Sequence, residues 1–201
     1  PIVYVDPTGN DVFVYDSQGH LLYRQKDKER DMIQVKNDDG TIDDSPEMKY
    51  GSIQSIDKLQ GEGSSWYNVM KVRDDKNGRI IHEFLASHTK VEWVRILVGK
   101  GRYTANYITT SNEVGTERAG VTWFNRKRRH GYRNSPEPSD WKGDYLVAYA
   151  LECVLGYHIK HKILFIEKDA NSNITPTYYE YSPTDEPPTQ EAIEKYGILP
   201  K

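Results

Sequence analysis

A carboxylate stands at the head of an apolar row in VEWVRILV, residues 91–98. Successive side chains of a strand alternate between its two faces, so Glu92 shares one face with three apolar residues, Val94, Ile96 and Val98. A carboxylate in such a row is costly unless it is paired, exposed at the strand end or used chemically. Two interpretations follow: an exposed strand end, or a general base whose pKa is set by partial burial.

A hydroxyl and two carboxylates precede the apolar run at 145–155, which predicts a buried helix containing the single cysteine, Cys153. Ser139, Asp140 and Asp144 suit the beginning of that helix, because capping oxygens and negative charges stabilise a helix N-terminus. The functional alternative is a carboxylate that binds a metal ion, with the serine hydroxyl placed over a polarised carbonyl.

A basic stretch, RKRRHGYR at 126–133, contains His130. It follows a helix-compatible segment and predicts a solvated helix end at Gly131. The alternatives are that His130 is a zinc ligand or that the basic run contacts phosphates. The sequence contains no nucleophile elbow, phosphate-binding glycine loop or cysteine zinc motif.

Composition limits the function classes. The chain has 201 residues and a net charge of −3, so its overall charge gives no attraction for nucleic acid or an anionic membrane. One cysteine excludes an internal disulfide framework. No apolar run approaches the ~20 residues that a membrane-spanning helix needs.

The elements that would position these residues are strands with helices inserted between them. Short strands and turns open the chain, and the segment 77–89 has a helical apolar face. Two strands joined by Gly-Lys-Gly follow at 91–111, and two more at 160–182 close a sheet. This order predicts a mixed α/β or α+β domain with a hairpin-rich N-terminal segment.

The opening PIVYVDPTGNDVFVYDSQGHLL resembles the end of a bacterial Rhs-repeat core, at its junction with a variable C-terminal toxin. The resemblance covers residues 1–25, and a connecting segment at 26–65 follows. It implies a secreted effector of interbacterial competition that is delivered into a target bacterial cell. It also implies an immunity protein as partner.

Three further motifs within residues 79–182 resemble the JAB-like toxin domains found behind Rhs cores: IIHEFLASHTKVEW, NYITTSNEVGTERAG, and RHGY with NSPEPSDWKGD. The JAB/JAMM group are zinc metallopeptidases with a central sheet flanked by helices, which predicts such a domain at 66–201. The resemblance implies that Glu92 activates a zinc-bound water and that Ser139 helps to stabilise the oxyanion. It implies that Asp144, or alternatively Asp140, binds zinc.

The family's His-x-His-Pro metal element does not carry over. In an alignment without a gap, His130 is the first ligand and Tyr132 replaces the second histidine. In the other alignment the element would fall between Tyr132 and Arg133, and both histidines are absent. Because tight zinc binding needs about three protein ligands, we expect weak zinc binding.

Three functions remain. The first is a metallopeptidase toxin that cleaves amide or isopeptide bonds of a protein substrate in the target cell. The second is a catalytically inactive JAB-like fold that binds a partner. The third is a nuclease-type toxin that uses the basic stretch at 126–130.

Overall fold

The computed structural model of the chain describes residues 10–27, 30–60, 66–98, 104–110, 112, 128–134, 160–168 and 174–181. Within these ranges it has twelve strands and one helix, arranged as two sheets with the helix packed between strands of both. The prediction of a mixed α and β architecture is therefore confirmed. No helix in the described ranges is long and apolar enough to cross a membrane.

The N-terminal sheet contains five strands: β1 (Asn10–Asp16), β2 (Leu21–Asp27), β3 (Arg30–Lys36), β4 (Ile42–Asp44) and β5 (Met48–Lys49). Its order is β2-β1-β3-β4, and β5 also pairs with β3. The predicted hairpin is confirmed, since β1 and β2 are antiparallel neighbours joined by a tight turn. Gly19 lies in that turn with φ +76°, a conformation that glycine adopts without strain.

The second sheet contains seven strands: β6 (Ile53–Gln60), β7 (Trp66–Arg73), β8 (Val94–Val98), β9 (Ala105–Thr109), β10 (Arg128–Asn134), β11 (Lys160–Lys168) and β12 (Ile174–Tyr181). Their order is β12-β11-β10-β8-β9-β7-β6, so β8 is the central strand. All neighbours are antiparallel except β10 and β11. The strands predicted at 91–111 and 160–182 are confirmed as β8, β9, β11 and β12.

Helix α1 (Asp75–His88) connects β7 to the central strand and confirms the predicted helix. Asp74 caps its N-terminus by accepting the N–H of Asn77 at 2.8 Å. Its apolar face buries three residues against the sheets, Ile81, Phe84 and Leu85.

One core joins the two sheets. Phe13, Tyr15 and Ile33 of the N-terminal sheet pack in the same cluster as α1 and as Met70 and Ile108 of the second sheet. The opposite face of the second sheet carries a separate cluster formed by Val69, Val94, Ile96, Val98 and Ala105. The predicted alternation along β8 is thereby confirmed, and the two faces of the central strand have different neighbours.

The prediction of a helix end at Gly131 is wrong, because residues 128–134 form β10. This strand pairs with β8 on one side and with β11 on the other. Pairing partners so distant in sequence override a local preference for helix, and a local pattern does not reveal them. The predicted buried helix at 145–155, with Cys153, lies outside the described residues.

Candidate functional site

Glu92 lies two residues before the central strand β8 and is only 3% exposed. Its carbonyl oxygen accepts a hydrogen bond of 2.6 Å from the hydroxyl of Thr110, which follows β9. The interpretation of Glu92 as an exposed strand end is therefore excluded. Its burial is compatible with a paired carboxylate and with the other interpretation, a general base.

The segment 89–93, which carries Glu92, is fixed by side chains as well as by strand pairing. Thr89 caps the end of α1 and also accepts a 2.8 Å hydrogen bond from the indole nitrogen of Trp93. Val91 and Trp93, the two neighbours of Glu92, are 1% and 2% exposed. The backbone around Glu92 is consequently buried on both sides of the residue.

His82 connects α1 to this segment. The ring nitrogen Nε2 lies 3.2 Å from the carbonyl oxygen of Trp93. A carbonyl oxygen only accepts, so Nε2 carries the proton and Nδ1 has a free lone pair. Nδ1 is buried and has no hydrogen-bond partner among the described residues. Burial first, and then the nearby guanidinium of Arg95, lower the pKa of His82 to about 3, so the ring is neutral at pH 7.

A buried guanidinium holds the beginning of α1 on the sheet. Arg95 is 1% exposed, and its Nη1 donates to the Asp75 carboxylate at 2.8 Å and to the side-chain oxygen of Asn106 at 3.0 Å. The amide nitrogen of Asn106 in turn donates to the carbonyl of Asp74. This network pairs the buried charge, through Nη1, with a carboxylate and a side-chain amide.

The strand β10 runs beside the central strand and ends near Glu92. Arg133 pairs with Val94, so the C-terminal end of β10 lies level with the start of β8. His130 instead pairs with Leu97, five positions after Glu92. At about 3.3 Å per residue this is a separation on the order of 15 Å along the strand. The backbone register therefore separates His130 from Glu92.

The remaining predicted site residues, Ser139, Asp140 and Asp144, lie outside the described residues. Within the described ranges no group of three or more histidine, cysteine, aspartate or glutamate side chains could hold a metal ion. For the predicted zinc site, the described residues give only the backbone position of His130 in β10. No step of the mechanism proposed below passes through zinc.

Sequence reasoning missed the polar residues that hold the segment around Glu92. His82 and Arg95 are buried, yet neither was singled out. A signal for His82 exists, since it sits within an apolar helical stretch next to Ile81. Arg95 occupies the face of β8 opposite the apolar row, where a solvent-exposed side chain is the usual expectation.

Comparison with known proteins gives no relative. No protein-family model, curated protein or solved structure matches this chain.

Proposed function

We propose that this chain is the C-terminal toxin domain of an Rhs-type polymorphic toxin and has a JAB-like fold. It hydrolyses amide or isopeptide bonds of proteins in a target bacterial cell. The single observation that carries the proposal is Glu92, a carboxylate only 3% exposed that lies two residues before the central strand of the sheet. The resembling family has its catalytic glutamate at the start of a strand, which is the position of Glu92.

The chemistry assigned to Glu92 is general base catalysis. The carboxylate takes a proton from a water molecule as the water oxygen attacks the carbonyl carbon of the scissile bond. When the C–N bond breaks, the same proton passes to the leaving amine. The resemblance gives Ser139 the role of stabilising the oxyanion of the tetrahedral intermediate. The segment 89–93 is held by Thr89, Thr110 and His82, which fixes the backbone of the base before substrate binds.

Delivery and partner follow from the resemblance of residues 1–25 to an Rhs boundary. A toxin delivered into neighbouring bacteria endangers the cell that makes it. We therefore propose that an immunity protein binds this domain in the producing cell. The net charge of −3 supports a protein substrate over a nucleic acid.

The test is growth of bacteria that express the chain without an immunity protein. We expect the wild type to inhibit growth and Glu92→Gln to relieve the inhibition, because loss of a general base lowers the rate roughly 10²–10⁴-fold. The measurement is colony-forming units after induction, at equal amounts of soluble protein.

The matched control is Glu83→Gln, the same chemical change on α1, where the half-buried Glu83 pairs with the exposed Arg79. It should remain toxic. Full toxicity of Glu92→Gln at equal expression would contradict the proposal.

A second candidate is a catalytically inactive JAB-like fold that inhibits growth by binding a partner. The observation that favours it is the absence of any His-x-His pair in the sequence, which has six histidines in all. Native mass spectrometry after incubation with zinc separates the two candidates. A chain of 23.2 kDa without zinc, toxic as wild type and as Glu92→Gln, would support the binding fold.

A further inference from the structure

The turn of the N-terminal hairpin packs directly on the segment that carries Glu92. The backbone N–H of Lys90 donates to the carbonyl of Ser17 at 2.8 Å. Gly19 is packed so closely that an added Cβ would lie 2.8 Å from a methyl group of Val91. The same Cβ would lie 3.3 Å from Trp93. The turn therefore contacts both sequence neighbours of Glu92.

Polar side chains also connect the hairpin turn to the segment 90–93. Lys90 Nζ lies 2.5 Å from one carboxylate oxygen of Asp38, and the hydroxyl of Ser17 donates to the other at 2.6 Å. The hydrogen bond from Lys90 and then that from Ser17 hold the pKa of Asp38 below its usual range. A further hydrogen bond reaches the turn from Asn112, whose side-chain amide donates to the carbonyl of Gln18 at 3.3 Å.

An aromatic contact in the core also joins the hairpin to the segment 90–93. Tyr15, at the end of β1, meets Trp93 edge-to-face, with ring centroids 5.7 Å apart and an interplanar angle of 81°. Aromatic pairs favour this edge-to-face geometry. Residues 90–93 are thus held by the hairpin on one side, and by Thr110 and His82 on the others.

We propose that the N-terminal hairpin is a positioning element for Glu92 and that Gly19 sets its distance from the segment 90–93. Glycine adopts φ +76° without strain and has no Cβ, so Val91 and Trp93 can pack directly against the backbone of the turn. Residues 10–25 of the boundary segment are then required for the position of Glu92. The effect on toxicity rests on the proposed function, whereas the effect on the backbone around Glu92 does not.

Gly19→Ala in the full chain tests the inference. The added methyl group pushes against Val91, and overpacking of this kind should raise hydrogen exchange of the backbone amides at 90–93 roughly tenfold. Growth inhibition should fall in parallel at equal amounts of folded protein. Hydrogen exchange read by mass spectrometry reports the segment directly.

Gly51→Ala is the matched control. Gly51 has φ +73°, so alanine there carries the same backbone strain, but an added Cβ meets nothing within 4 Å. It should leave exchange at 90–93 and toxicity unchanged. Val91→Ala in the Gly19→Ala background removes the clashing methyl group and should restore part of the protection, which would identify the contact with Val91 as the cause of the faster exchange.

If Gly19→Ala does not fold, Asp38→Ala serves as a second variant, because Asp38 is exposed and joins Lys90 to Ser17. It should also raise exchange at 90–93 relative to wild type. Equal exchange at 90–93 in Gly19→Ala and Gly51→Ala, or in Asp38→Ala and wild type, would overturn the inference. A toxic Glu92→Gln together with the expected exchange contrast would instead remove the proposed function and leave the positioning role standing.

Discussion

The imidazole of His82 shows how much one buried side chain constrains the molecule. It is fully buried, donates through Nε2 to the carbonyl of Trp93, and stacks on Tyr178 with ring centroids 6.5 Å apart. Protonation would place a second positive charge in a buried site close to the guanidinium of Arg95. The neutral ring is therefore part of the folded state, and acid should act on the protein at this residue.

We expect stability to fall on acidification because of His82. Its folded pKa is about 3, below the ordinary value of 6.5. Between these values the unfolded chain binds the proton and the folded chain does not, so the free energy of unfolding decreases as pH falls from about 6.5 towards 3. From pH 7.5 to pH 5 this residue alone should remove about 2 kcal/mol.

Urea unfolding of the wild type and of His82→Gln at pH 7.5 and pH 5 measures this contribution. The glutamine variant keeps an N–H for Trp93 but does not titrate, so its stability should depend less on pH. Identical pH dependence in the two proteins would show that His82 is not held neutral by the fold.

At the scale of elements, a polar network fixes α1 to the central strands. The network leaves no room for a side chain at position 78 of the helix. Gly78 is buried in the helix, and an added Cβ would overlap the amide group of Asn106. Asn106 has little freedom to move, because its oxygen accepts from Arg95 and its nitrogen donates to the carbonyl of Asp74. The closeness of α1 to β9 therefore depends on Gly78.

Gly78→Ala should destabilise the protein, although alanine usually stabilises a helix interior. The ordinary gain is roughly 0.5–1 kcal/mol, whereas overpacking costs roughly 1–3 kcal/mol. We expect the free energy of unfolding to drop by about 1–2 kcal/mol in urea titration. In an Asn106→Ala background the same substitution should cost much less, since the overlapping amide is gone. A higher unfolding midpoint for Gly78→Ala alone would refute the close packing.

Elements with a strong local pattern were predictable from the sequence, and β10 was not. The apolar face of α1 and the alternation along β8 are properties of short segments, so periodicity found them. Residues 128–134 carry a local pattern compatible with a helix, and their strand conformation depends on pairing with β8 and β11. The place of Glu92 at the head of the apolar row was predictable for the same local reason. The contacts of Arg95 and Gly19 were not predictable, because they join residues distant in sequence, whereas the burial of His82 had a local signal in its apolar helical stretch.

At the scale of the whole molecule, the N-terminal sheet and the second sheet share one core. Phe13 and Tyr15 of β1 are 5% and 2% exposed within a cluster that includes Trp93 and α1. The core is therefore continuous across the predicted boundary at residue 25. Phe13 and Tyr15 of the segment that resembles an Rhs boundary pack in the same cluster as Val91 and Trp93, the two neighbours of Glu92.

Deletion of residues 1–27 should abolish cooperative folding. Loss of a buried aromatic side chain such as Phe13 or Tyr15 costs roughly 3–5 kcal/mol. The free energy of unfolding of a domain is about 5–15 kcal/mol, so the loss of all of the buried side chains of β1 would exceed it. Thermal unfolding followed by circular dichroism should show no sharp transition for residues 28–201. A cooperative transition within a few degrees of the full chain would mean that the hairpin is dispensable.

The most direct measurement of the central claim is the appearance of new primary amines in target-cell proteins, because hydrolysis of either an amide or an isopeptide bond releases one. Lysates of cells that express the wild type or Glu92→Gln would be labelled with an amine-reactive reagent and compared by mass spectrometry. We predict a set of new amino termini or lysine amines with the wild type that is absent with Glu92→Gln. The same labelled sites in both lysates, while only the wild type inhibits growth, would contradict hydrolysis by Glu92.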